Sequence, residues 1–125
     1  MGSTEARRQL GRAGEDIARR HLESRGYTCV TSNWHCRAGE LDLVMLDGET
    51  LVFVEVKARR GERAGRAEEA ITPAKARRLL AAGEWFVADH ADYHDLAWRC
   101  DLVAITIQPT GPARIDHYIN AIVDG

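Results

Sequence analysis

The chain has 125 residues and a mass of 13.9 kDa, 45% hydrophobic and 29% charged, a balance that lets an ordinary globular core form without disulfide or metal staples. Nineteen acids against seventeen bases leave a net charge of −2, which excludes a protein held to nucleic acid by bulk attraction alone. No apolar run approaches the ~20 residues that cross a bilayer, the first ten residues lack the apolar centre of a signal peptide, and three cysteines, an odd number, suit a reducing compartment. The expectation is one cytoplasmic domain spanning residues 1–125, with no membrane partner.

Residues Thr4 to Arg25 read as a helix. Ser3 or Thr4 caps its start, Gly26 suits a left-handed cap at its end, and Leu10, Gly14, Ile17, Ala18 and Leu22 recur at helical spacing. Glu15 falls at the margin of that stripe, and Gly11, one turn earlier, leaves room beside its carboxylate. Tyr27 to Thr31 reads as a short strand. Glu40 to Leu46 (ELDLVML) and Leu51 to Ala58 (LVFVEVKA) are nearly continuous apolar runs, the pattern of strands buried on both faces, and Asp47-Gly48-Glu49-Thr50 joins them as a hairpin turn. Arg59 to Ile71 is polar and rich in Arg and Gly, without a period, and reads as a loop. Thr72 caps a second helix with Pro73 at its first position, carrying Ala76, Leu79, Leu80, Gly83 and Val87 on one face. Arg99 to Ile107 is a strand, and Arg114 to Ile119 a weaker one at an edge. The order α-β-β-β-α-β-β predicts a three-layer α/β domain with a central mixed sheet.

The two central strands carry charges where apolar residues belong. Glu40 and Asp42 are two apart and share a face, as do Glu55 and Lys57. With Gly48-Glu49 as a two-residue type II′ loop, Asp42 lies opposite Glu55 and Glu40 opposite Lys57, with Cβ atoms about 5 Å apart. A loop of Asp47-Gly48 instead sets Glu40 against Glu55 on the same face. Two ionised carboxylates so close repel by about 3 kcal/mol at an effective dielectric near 20. Three remedies exist: a proton held on one of them, partial compensation by Lys57, or a divalent cation between them. An all-oxygen cluster of charge −2 suits a hard ion such as Mg²⁺. Leu51 and Phe53, and Val44 and Leu46, share the face of the acids, so the charges extend an apolar wall and do not read as ordinary surface residues. Lys57 is one of only two lysines in an arginine-biased chain, which hints that a compact charge is needed there.

The charge is also unevenly spread. Lys57 to Arg78 holds eight bases and three acids, whereas Glu84 to Asp101 holds five acids and one base. Arg59, Arg60, Arg63 and Arg66 leave the acidic strand directly and are candidates for phosphate contacts.

Asp42, twelve intervening residues, and Glu55-Val56-Lys57 resemble the PD-(D/E)xK nuclease motif. GELDLV (Gly39 to Val44), LVFVEVKAR (Leu51 to Arg59), GEDIA from Gly14, Arg99-Cys100-Asp101-Leu102 and Tyr118-Ile119-Asn120-Ala121 resemble the YraN family of uncharacterised bacterial proteins, over nearly the whole chain. The resemblance implies a restriction-endonuclease-like fold with an α-β-β-β-α-β core, similar to archaeal Holliday-junction resolvases. It further implies a metal-dependent DNA endonuclease acting on duplex or branched DNA, and by analogy a homodimer. On that basis Asp42 and Glu55 ligate Mg²⁺ or Mn²⁺ with the Val56 carbonyl, and Lys57 orients or activates the attacking water. Glu15 matches the additional acid of the resolvases and joins both the catalytic group and the metal ligands, and Glu40 joins the catalytic group without an assigned role. Leu41 stands where the motif has proline, a departure that leaves the chemistry intact. Nothing resembles a base-reading helix, so recognition of DNA shape is expected.

The weaker signals read as structural. The cysteines form no CxxC pair and are expected as reduced thiols. Trp34, Trp85 and Trp98 are expected in packing, His90 and His94 at the surface, and Arg99 with Asp101 as an ion pair on one strand face. The rival to the nuclease is a non-catalytic module that binds nucleic acid or a protein partner. Such a module has no need of the complete Asp42, Glu55 and Lys57 set.

Overall fold

The computed structural model describes residues 3–61 and 71–123. Helix α1 (Ser3–Ser24) leads into β1 (Thr28–Cys36), β2 (Gly39–Asp47) and β3 (Thr50–Arg60). Helix α2 (Pro73–Asp89), a single 3₁₀ turn (Ala91–Tyr93), β4 (Ala97–Ile107) and β5 (Arg114–Tyr118) follow. The strands make one sheet in the order β1-β2-β3-β4-β5. All neighbours are antiparallel except β3 and β4, which run parallel. A parallel pair requires a crossover, and α2 lies in it. The result is a mixed sheet with a helix on each face, the three-layer α/β arrangement expected from the element order. Among the described residues no helix is long and apolar enough to cross a membrane.

Each face of the sheet has its own core. Ala18 and Leu22 of α1 pack with Leu43, Met45, Val52, Val54, Val103 and Ile105. Leu79, Ala82 and Phe86 of α2 pack with Leu41, Val44, Leu51, Phe53, Cys100 and Ile122. Strands β2 and β3 are therefore covered on both sides, which is why their sequences lack alternation. Trp34 and Trp98 pack edge-on against Phe86 and Phe53, whereas Trp85 is exposed.

Gly14 is where α1 touches the sheet. A Cβ there would sit 2.5 Å from the Ala58 Cβ, while one at Gly11 would meet nothing within 4 Å. The close approach seats α1 over the second half of β3. Gly14→Ala is therefore expected to destabilise by about 1–3 kcal/mol through overpacking. Gly11→Ala is expected to stabilise by about 0.5–1 kcal/mol, because alanine removes the entropic penalty of glycine in a helix. Thermal melts of the two variants should shift in opposite directions.

Several boundaries differ from the sequence reading. Strand β1 runs on to Cys36, because an edge strand paired on one side with β2 tolerates the polar residues Thr31, Ser32, Asn33 and His35 while Trp34 packs into the core. Strand β3 continues through Arg60, since its parallel ladder with β4 extends to Arg60 and Ile107, so Arg59 and Arg60 are strand residues and not loop residues. The buried face of α2 is Leu79, Ala82, Gly83 and Phe86, rotated from the expected stripe. His90 is not a free surface residue: its ring stacks on Phe86 at 3.8 Å and its Nδ1 lies 2.7 Å from the Phe86 carbonyl.

Candidate functional site

The β2–β3 hairpin has the register read from the sequence. Asp47 pairs with Thr50 and Leu43 with Val54. Gly48 takes a positive φ of 61° and Glu49 does not, the pattern of a type II′ turn with glycine first. The ladder ends at Leu43. Leu41 and Val44, three residues apart, both enter the α2-side core, so strict alternation breaks at Asp42. Across from this break on β1, Asn33 adopts a left-handed φ of 51° between the pairs Ser32–Leu43 and Trp34–Leu41.

Asp42 repairs the interruption with its side chain. Its Oδ2 accepts the Val56 N–H at 2.9 Å, satisfying a backbone donor where β2 parts from β3. The carboxyl also shares a hydrogen bond with Glu55, and it is pushed up to about 8 by burial first and by the Glu55 charge second. Two compensations for the acidic pair are seen: a hydrogen bond between the Asp42 and Glu55 carboxyls, and a lysine ammonium on Glu55 that comes from Lys75. Glu55 is itself buried, at the end of the apolar face formed by Leu51 and Phe53. Glu15, on α1, lies close enough to feel Glu40 and Glu55; burial raises its carboxyl, opposed by a hydrogen bond from Asn33.

One expectation needs correction. Glu40 does not face Lys57. Because β2 leaves β3 at Leu43, Glu40 pairs instead with His35 of β1, with 3.2 Å between His35 Nδ1 and Glu40 Oε2, at an exposed rim. The ion-pair partner of Glu55 is Lys75, a residue the sequence reading did not bring to the site, from the first turn of α2, whose Nζ lies 2.7 Å from Glu55 Oε2. Lys57 is hydrogen-bonded to Lys75, and that contact, with burial and the neighbouring positive charge, holds its ammonium below the ordinary lysine range. Burial works against the charge of Lys75, yet its hydrogen bonds to Glu55 and Lys57 carry it upward. Lys75 and Asn33 were not placed in the site from sequence. The one available signal was that Lys75 is the second of the chain's two lysines.

Asp42, Glu55 and Lys75 line a cavity of about 220 Å³ together with Gly39, Glu40, Arg78 and Leu79. Arg59 and Arg60 extend from the site along β3. Arg63 and Arg66 lie outside the described residues.

Among the described residues, no three His, Cys, Asp or Glu side chains are gathered closely enough to hold a metal ion. The Asp42–Glu55 pair nevertheless has the donor chemistry of a Mg²⁺ site. That ion commonly uses one or two carboxylates, keeps several waters and takes the rest of its shell from substrate phosphate. A cation, the Lys75 ammonium, already rests on this pair.

Asp101 belongs to a different cluster, on the α1 side of the sheet. It is fully buried and accepts from Arg99 Nε at 3.0 Å and from the Asn120 N–H at 2.8 Å, and His117 Nε2 lies 2.8 Å away. Arg99 reaches on to Tyr27 Oη. The Arg99–Asp101 contact is the ion pair expected from the strand face they share. The three cysteines are free thiols, and burial pushes that of Cys100 up to about 12.

Residues 14–105 match the family model described as uncharacterised protein family UPF0102. A UPF0102 protein of Frankia casuarinae is 46% identical over 112 residues, 90% of this chain and 94% of that relative. One from Ectopseudomonas mendocina is 46% identical over 90% of this chain and 92% of its own length. One from Pseudomonas aeruginosa is 42% identical over 97% of this chain and 98% of the relative.

Proposed function

The chain belongs to the uncharacterised protein family UPF0102, and from the site it carries we propose that it is a metal-dependent nuclease hydrolysing phosphodiester bonds in DNA. The observation behind this reading is the Asp42–Glu55 pair, two carboxyls hydrogen-bonded to each other with burial raising that of Asp42, with Lys57 two residues further along β3. Stability alone does not favour such a pair, and strongly perturbed groups in a cleft concentrate at functional sites.

Asp42 and Glu55 would hold Mg²⁺ or Mn²⁺, with the Val56 carbonyl as a third oxygen. When bound, the ion supplies Lewis-acid polarisation of the phosphoryl group and makes water at the site more acidic. Lys57, held below the ordinary lysine range, orients the attacking water and exchanges its proton. Arg78 at the cavity rim and Arg59 and Arg60 along β3 meet the phosphate backbone, which gives contact without base identity. Recognition then rests on the shape of the DNA, duplex or branched. Glu15 and Glu40 add negative potential around the cradle.

A second reading is a nucleic-acid-binding or partner-binding module that performs no hydrolysis. The Lys75–Glu55 ion pair favours it, because that contact already neutralises one carboxylate. Incubation with labelled duplex, flap and four-way-junction DNA, with Mg²⁺ and with EDTA, separates the two. Mg²⁺-dependent cleavage lost in Glu55→Ala is expected. No product from any substrate, or undiminished cleavage by that variant, favours the binding module.

A further inference from the structure

Lys75 is poorly explained as a helix-stabilising residue. It occupies the third position of α2, where the Thr72 hydroxyl accepts its backbone N–H at 3.1 Å and Pro73 opens the helix. The positive end of a helix dipole favours acids in the first turn; this turn contains none, and it presents an ammonium. The side chain extends inward and places Nζ 2.7 Å from Glu55 Oε2, with about a quarter of its surface exposed against less than a tenth for Glu55. It also contacts Lys57. Two lysine side chains are thus packed together beside one acidic pair.

Resting on the metal-dependent reading above, we propose that Lys75 is a tethered counter-ion that occupies the metal's place on Glu55, yields it to a divalent cation, and then turns toward the substrate phosphate beside Arg78. The ammonium and a divalent ion compete for the same carboxylate, and their mutual repulsion disfavours joint occupancy. The side chain is long enough to move without moving α2: four methylenes separate Nζ from a backbone fixed by its cap. The cavity into which it turns holds Arg78 on its wall, so a departing ammonium gains a position where two bases can face one phosphate. The device keeps the acidic pair closed without metal and couples metal loading to substrate binding.

The test is calorimetric titration of Mn²⁺, without DNA, into the wild-type protein and into Lys75→Met, which keeps the apolar stem and removes the charge. Lys75→Met is expected to bind Mn²⁺ about tenfold more tightly or better, the scale on which residues contacting metal ligands usually act. In Ca²⁺, its affinity for duplex DNA is expected to fall several-fold. Equal or weaker Mn²⁺ affinity overturns the proposal, and so does an absence of binding by both proteins. Lys75→Gln, which retains a donor without the charge, provides the same comparison if the methionine variant unfolds. An Asp42→Asn control separates the failures. Mn²⁺ heat that depends on Asp42 but not on Lys75 rejects the counter-ion alone. Mn²⁺ heat unchanged by Asp42→Asn rejects the metal site, and with it both the nuclease reading and the counter-ion.

Discussion

Asp42→Asn is expected to lower Mg²⁺-dependent cleavage by at least about a thousandfold and, in the same protein, to raise the melting temperature at pH 8. On the proposed metal-dependent reading, the loss follows from removing one of two carboxylates that would hold the ion, at a centre whose chemistry would be electrostatic. The gain follows from linkage. Burial and Glu55 push the Asp42 carboxyl from 3.8 up to about 8, so between those values the folded chain retains a proton that the unfolded chain has released. Stability from this group is complete below about pH 4 and is lost as the pH rises through the folded value. Asparagine escapes the penalty. Its oxygen still accepts the Val56 N–H, and its amide donates to Glu55 as the acid proton did. An advantage of about 2–4 kcal/mol at pH 8 is expected, shrinking toward pH 4, a shift of several degrees in a domain of this size. Metal-free melts at pH 5 and pH 8, beside a cleavage assay, decide the matter. Identical melting differences at the two values would show that Asp42 does not carry the proton.

Asp101→Ala is expected to cause the largest stability loss, about 3–5 kcal/mol, without touching the cavity. The carboxylate is fully buried and satisfies Arg99, His117 and the Asn120 N–H together. Alanine leaves a half-buried guanidinium and a backbone donor without their acceptor, and each orphaned group then carries its desolvation penalty. The pH dependence has the opposite sign to that of Asp42. Burial raises the Asp101 carboxyl, but the hydrogen bonds from His117, Arg99 and Asn120 outweigh it and hold the group below its ordinary value of 3.8. Its stabilisation is present above that value and is lost as the pH falls through the lower folded one. Asp101→Asn should therefore unfold more easily in denaturant at pH 7, yet lose less stability on acidification than the wild type. An unfolding free energy at pH 7 within about 0.5 kcal/mol of the wild type for Asp101→Ala would reduce this cluster to a surface contact.

The two clusters were unequally legible. The hairpin register followed from one glycine and two apolar runs, because a type II′ turn fixes pairing locally and side-chain direction alternates every residue. That was enough to set Asp42 beside Glu55. It failed for Glu40, where the same arithmetic continued past Leu43 although β2 had already turned toward β1 and His35. A break in alternation is a cooperative result of packing, here Leu41 seeking the α2-side core, and no local rule marks it. Arg59 and Arg60 were misread for a similar reason: their polarity suggests a loop, but the parallel partner β4 sustains the strand.

By itself, the sequence determined the layered α/β class, the buried central strands, the capped start of α2 at Thr72 and Pro73, and the meeting of Asp42 with Glu55. All of these depend on short-range periods, turns and caps. The tertiary structure alone decided which cation neutralises Glu55, that Asp42 closes the ladder through Val56, that Asn33 supports Glu15, and that Asp101 gathers partners from β4, β5 and the chain beyond it. Those contacts join segments far apart in sequence. Their geometry is set by how α1 and α2 dock on the sheet, through the bare backbone at Gly14 and the apolar face around Phe86, and side-chain direction at such distances is a property of the packed whole.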